Sequence, residues 1–99
     1  MKFDETLPGA GKEESFMITT SRYSSKKTRE FAKKLAEDGS ERYVARGKKT
    51  IAELALIARK SGEERISIIE EKDDLPHKII EIQVLETGIW NWAGERLCK

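Results

Sequence analysis

Phe16-Met17-Ile18-Thr19-Thr20 is a run of apolar and β-branched residues, too brief for a helix. It suits a strand buried on both faces, and such a strand lies inside a sheet that helices cover. The residues that follow supply a helix. Ser21 to Ser25 is a polar break in which Ser24 or Ser25 can cap a helix by offering its hydroxyl to unpaired backbone N–H groups. Thr28, Phe31, Ala32 and Leu35 then recur on one helical face, leaving Lys26, Lys27, Arg29, Lys33 and Lys34 largely elsewhere, and Gly39 ends the helix.

The pattern repeats. Glu41 to Ala45 reads as a second short strand and Arg46-Gly47-Lys48-Lys49 as the loop after it. Thr50-Ile51-Ala52-Glu53 has the capping-box spacing. Ile51, Leu54, Ala55 and Ala58 form an apolar stripe, with Leu56 and Ile57 widening it, until Ser61-Gly62 supplies a stop. Arg65 to Glu70 is a third strand, Glu71 to Pro76 a charged turn, Lys78 to Glu86 a strand alternating around Ile80, Ile82 and Val84, and Ile89 to Leu97 a last strand. Trp90 and Trp92, two apart, share one face of it. The predicted fold class is α/β, in the order β-α-β-α-β-β-β, with a parallel core and antiparallel additions. Residues 1–14 mix acids, two glycines and a proline without period, and are expected to form a mobile leader to a single domain over 15–99.

Charge is distributed unevenly. The net charge is +1, yet Thr20 to Thr50 holds ten Lys and Arg against four acids, a local balance of +6. Polyanion binding follows that distribution rather than the total. With 37% hydrophobic and 37% charged residues and no apolar run of membrane-spanning length, a membrane protein is not expected. The opening residues lack the apolar core of a signal peptide, and a single cysteine cannot form an internal disulfide, so a reducing cytoplasm is the simplest location. Asn and Gln occur once each among abundant Lys and Glu, a bias seen in proteins from hot environments.

Catalysis finds little support. His77 follows a proline in a turn, and neither it nor Cys98 has partners at metal-ligand spacing. The acidic pairs Glu63-Glu64, Glu70-Glu71 and Asp73-Asp74 read as solvated turns and strand ends. Phosphate-binding glycine loops and serine elbows are absent from the sequence, so no enzyme, metal or cofactor is expected. Anion binding is better founded. The Thr20–Ser25 loop runs from a strand end into a helix start, where N–H groups and the helix dipole favour phosphate and Arg22, Lys26 and Lys27 add charge. In a parallel sheet the Arg46-to-Lys49 loop emerges at the same edge, and the two loops are expected to make one phosphate-binding edge. A basic helix serving only solubility is the alternative reading. Tyr23 and Tyr43 could stack on unpaired bases, although Tyr43 in a short strand reads better as core.

Ile18-Thr-Thr-Ser-Arg-x-x-Ser-x-x-Thr-Arg-x-Phe-Ala-Lys-x-Leu35, then Arg46-Gly-Lys-Lys-Thr50 before a helix, then Arg65-Ile-x-Ile-Ile69, resembles the Brix domain of ribosome-biogenesis proteins in its compact archaeal form. The resemblance spans about Phe16 to Leu97. It implies one half of a domain built from two similar α/β halves, each resembling the anticodon-binding domain of class II aminoacyl-tRNA synthetases. It also implies a non-enzymatic ribosome-assembly factor that binds precursor ribosomal RNA and works with a protein partner. On that reading Arg22, Lys26, Lys27, Arg29, Arg46, Lys48 and Lys49 contact RNA. Trp90 and Trp92 would contact a protein partner or a second copy, since a half-domain exposes apolar sheet. The alternatives are a protein-interaction module inside an assembly complex, and a transfer-RNA binder suggested by shared architecture alone.

Overall fold

The computed structural model describes residues 16–85 and 89–98. The expected leader over 1–14 lies outside them. The elements are β1 (Phe16–Thr20), α1 (Lys26–Gly39), β2 (Arg42–Tyr43), α2 (Ile51–Ser61), β3 (Arg65–Lys72), β4 (Leu75–Val84) and β5 (Trp90–Leu97), the order expected. They build one five-stranded sheet ordered β2-β1-β3-β4-β5. β1 runs parallel to both β2 and β3, while β3–β4 and β4–β5 pair antiparallel.

Side-chain alternation divides the core between the two sheet faces. Met17, Ile66, Ile68, Ile80, Ile82 and Val84 pack against Leu54, Ala55 and Ala58 of α2. Ile18, Ile69 and Ile79 pack on the opposite face against Ala32 and Ala36 of α1. β1 and the start of β3 are buried on both sides, which is why their sequences read as unbroken apolar runs rather than alternating ones. The inward stripes of both helices are those their spacing indicated, with one correction. Leu56 does not widen the α2 stripe; it is 55% exposed, because it lies two positions from Leu54 and therefore well around the helix.

Helix ends follow their residue chemistry. Ser25 caps α1, its hydroxyl accepting from the Thr28 N–H. α1 runs through Gly39, and its left-handed cap is Ser40 at φ 56°, whose N–H reaches the carbonyls of Ala36 and Glu37. In α2 the capping box is complete: Glu53 N–H donates to Thr50 Oγ1 at 3.1 Å and Thr50 N–H to Glu53 Oε1 at 2.8 Å. Gly62 closes that helix at φ 79°. The charged turn is tighter than expected: β3 extends to Lys72, and Asp73 and Asp74, both at positive φ, join it to β4. Pro76 sits inside β4 opposite Glu71, at a register irregularity where no regular ladder bond from its nitrogen is needed.

Candidate nucleic-acid interface

Because β1 and β2 are parallel neighbours, the loops leaving their C-terminal ends emerge side by side. Arg46 joins them. Its guanidinium donates from Nη1 to the Thr20 carbonyl at 2.8 Å and from Nε to the Lys49 carbonyl at 2.7 Å. The side chain is 7% exposed. Burial lowers its pKa, the nearby charge of Arg22 adds to the shift, and Glu70 opposes it. Arg22 and Arg46 are thus brought together at one edge, but Arg46 acts as a strut between loops more than as a solvent-facing cation.

A cleft of about 400 Å³ opens between the loops, lined by Thr20, Tyr23, Ser24, Arg29, Ala45, Arg46, Gly47 and Lys48. Gly47, at φ 54°, occupies a backbone region that disfavours side chains, and turns the chain so that Arg46 goes inward while Lys48 stays exposed. Arg22, Lys26, Lys27 and Arg29 are exposed as well. Arg29 Nη1 donates to the Ser24 carbonyl at 2.5 Å, fixing the guanidinium against the first loop. Lys49 is half-buried and folds back, its Nζ donating to the Ala45 carbonyl at 3.0 Å. Arg42, from the same basic stretch, serves elsewhere: it grips Glu63 with Nε and Nη2, both at 2.7 Å, and reaches Ser61 Oγ at 3.0 Å.

At both helix starts a carboxylate from this chain takes the N–H of the capping residue, Ser25 in α1 and Thr50 in α2. At α1, Glu71 Oε1 accepts from Thr28 Oγ1 at 2.5 Å and from Ser25 N–H at 3.0 Å, with Ser25 Oγ also 3.0 Å away. The Thr28 hydroxyl bond, then the Ser25 N–H bond, hold the Glu71 carboxyl below its ordinary value. At α2 the capping carboxylate of Glu53 plays the equivalent part.

Trp90 and Trp92 do share a face, opposite Val84 and Ile82 across the β4–β5 pairing, but their surroundings differ. Trp90 is half-buried against the α2-side core, whereas Trp92 is 56% exposed. A second cleft of about 240 Å³ places Trp92 with Ser21, Arg22, Arg46, Ile51, Ile68, Glu70 and Ile80. Sequence spacing could not show this meeting of the last strand with the first loop. Tyr43 packs on the α1-side core with Lys33 Nζ 5.7 Å from its ring centre, in keeping with its core reading. Among the described residues no group of three or more His, Cys, Asp or Glu is placed to hold a metal ion, and no helix is long and apolar enough to cross a membrane. Cys98 N–H donates to the His77 carbonyl at 2.8 Å, and burial raises the Cys98 thiol pKa despite the opposing charge of Arg96.

A mixed sheet with one helix on each face, and paired loops at the ends of its parallel strands, defines a mixed α/β module. No protein-family profile matches the chain, and no curated protein sequence does. Solved structures do. A probable ribosomal biogenesis protein from Aeropyrum pernix K1 superposes with a TM-score of 0.79 at 26% identity, over 87% of this chain and 48% of that one. Mil, an archaeal Imp4-like protein, superposes with a TM-score of 0.64 at 28% identity, over 75% of this chain and 46% of that one. This likeness supports the resemblance to Brix-domain ribosome-biogenesis proteins read from the sequence. The chain spans about half the length of these two structures.

Proposed function

We propose that the chain acts in ribosome assembly by binding precursor ribosomal RNA along the edge formed by its two basic loops. The observation that carries this reading is the Arg46–Thr20 bond, which joins the loops between two adjoining clefts, one lined by Arg29 and Lys48 and the other by Arg22. Lys26 and Lys27 extend the charge along the first turn of α1, and Lys49 supports the second loop. With the Ser25 and Thr50 N–H groups taken by Glu71 and Glu53, phosphate recognition rests chiefly on cationic side chains, which follow a backbone without reading its sequence. Such binding releases counterions and weakens steeply with salt.

The test is RNA affinity measured against salt for the protein and for a Arg22→Ala/Lys48→Ala variant. Loss of two phosphate contacts should weaken binding to every RNA sequence and reduce the slope of log K against log salt by about 1.5–2. An unchanged slope would assign those residues to solubility.

A further inference from the structure

Arg22 is near both Trp92 and Tyr23. Trp92 shares its cleft with Arg22, Arg46 and Glu70, while the Arg22 guanidinium lies 5.9 Å from the centre of the Tyr23 ring. Both rings are largely open, Trp92 at 56% and Tyr23 at 71% exposure. Tyr23 is also held at φ 56°, a backbone conformation uncommon for an aromatic residue. The two clefts adjoin, since Arg46 lines both. The molecule thus presents two exposed aromatic rings that share the neighbourhood of one guanidinium, beside a basic edge.

We propose that this surface takes two successive unpaired bases of single-stranded RNA, one stacked on Trp92 and one on Tyr23, with Arg22 on the intervening phosphate. The proposal rests on the RNA-binding reading above and specifies the state of the RNA that is bound. Stacking on aromatic rings requires bases that are not already stacked in a duplex, whose deep, narrow major groove side chains cannot enter. The Trp92 cleft is smaller than the roughly 300–1,000 Å³ of drug-sized ligand sites, which suits one planar group. Its apolar walls, Ile51 and Ile80, face the body of a base, and Glu70 can accept hydrogen bonds from an exocyclic amino group. The exposed Arg22 guanidinium matches a phosphate and would be left unneutralised by an apolar protein surface. Trp92 therefore belongs with the basic loops, and Trp90, packed on the core, does not.

The experiment compares a short single-stranded RNA of mixed sequence with a duplex of the same length. In a Trp90→Phe background Trp92 is the only tryptophan, and single-stranded RNA should quench its fluorescence while duplex should not. Trp92→Ala should weaken single-strand binding about tenfold, leave duplex binding within about twofold, and keep the salt slope; Trp92→Phe should recover most of the loss. Tyr23→Ala should behave similarly. Circular dichroism should report a folded protein throughout, because both rings are exposed.

Absence of quenching, or equal loss on single strand and duplex, overturns the proposal. So does unchanged RNA affinity of Trp92→Ala with altered self-association in sedimentation, which would assign the indole to a contact between protein copies. If the wild-type protein binds neither RNA, the function proposed above fails as well. Salt-sensitive RNA binding that is indifferent to Trp92 and Tyr23 removes only the stacking platform.

Discussion

Arg46 donates to the carbonyl of Thr20 over 2.8 Å, and through that bond the loop after β2 fixes the end of β1. The same guanidinium holds the Lys49 carbonyl, so one buried side chain sets the shape of both loops at the candidate interface. Arg46→Ala should cost about 2–3 kcal/mol, since two charge-assisted bonds vanish and the Thr20 carbonyl loses its partner. Arg46→Lys should recover less than half, because an ammonium cannot span both carbonyls as the planar fork does. Urea denaturation measures both, and a lysine variant as stable as wild type would contradict the strut.

Glu71 gives a pH signature. Its folded pKa is depressed, so the stability it contributes is complete above the ordinary carboxylate value of 4.5 and is lost as pH falls through the lower folded value. Glu71→Gln should be less stable than wild type by about 1 kcal/mol at neutral pH, comparable to loss of a helix cap. The gap should narrow below about pH 4.5. Thermal melts from pH 7 to pH 3 give the comparison, and a constant gap would remove the proposed role of the charge.

Adjacent leucines of α2 should respond in opposite ways. Leu54 is fully buried, and Leu54→Ala should cost about 3–4 kcal/mol through lost burial and the cavity left behind. Leu56→Gln should stay within about 0.5 kcal/mol of wild type. Chemical denaturation of the two variants checks which face of α2 is inward.

Arg42 and Glu63 link β2 to the end of α2. A double-mutant cycle with Arg42→Ala and Glu63→Ala should return a coupling of about 1–2 kcal/mol, discounted because Arg42 is 43% exposed at its side chain. The Glu63 hydrogen bond raises the Arg42 pKa against the opposing effect of burial. Neither variant should change the salt slope of RNA binding, because Arg42 is engaged away from the cleft. A changed slope would return Arg42 to the interface.

Much of this architecture was legible where local chemistry decides. Thr50 and Glu53 marked the start of α2 because the capping box is built within four residues, and Thr28, Ala32 and Leu35 marked the inward side of α1 by spacing alone. Distance along the chain defeated the rest. Glu71 reaches Ser25 across 46 residues, and no spacing rule reports such a pair. The β3–β4 hairpin was read too loosely because Asp73-Asp74 lacks a glycine, yet Asp tolerates the left-handed region that a two-residue turn requires. In the basic loop, four consecutive residues looked equivalent. Gly47 separates them, sending Arg46 into the protein and leaving Lys48 outside, a distinction made by a backbone angle. The meeting of Trp92 with Arg22 required the whole sheet order to be known.

That sheet order has a consequence for how the protein matures. β1 leaves the ribosome first among the strands, but its longer partner is β3, so Met17 and Ile18 remain uncovered on that side until Ile66 to Ile69 have been made. β2 offers only two residues of pairing in the meantime. The nascent chain therefore carries its most apolar strand with one edge open through the synthesis of both helices. Its exposure to unwanted pairing ends only when β3 pairs along β1, after which β4 adds to the other edge of β3.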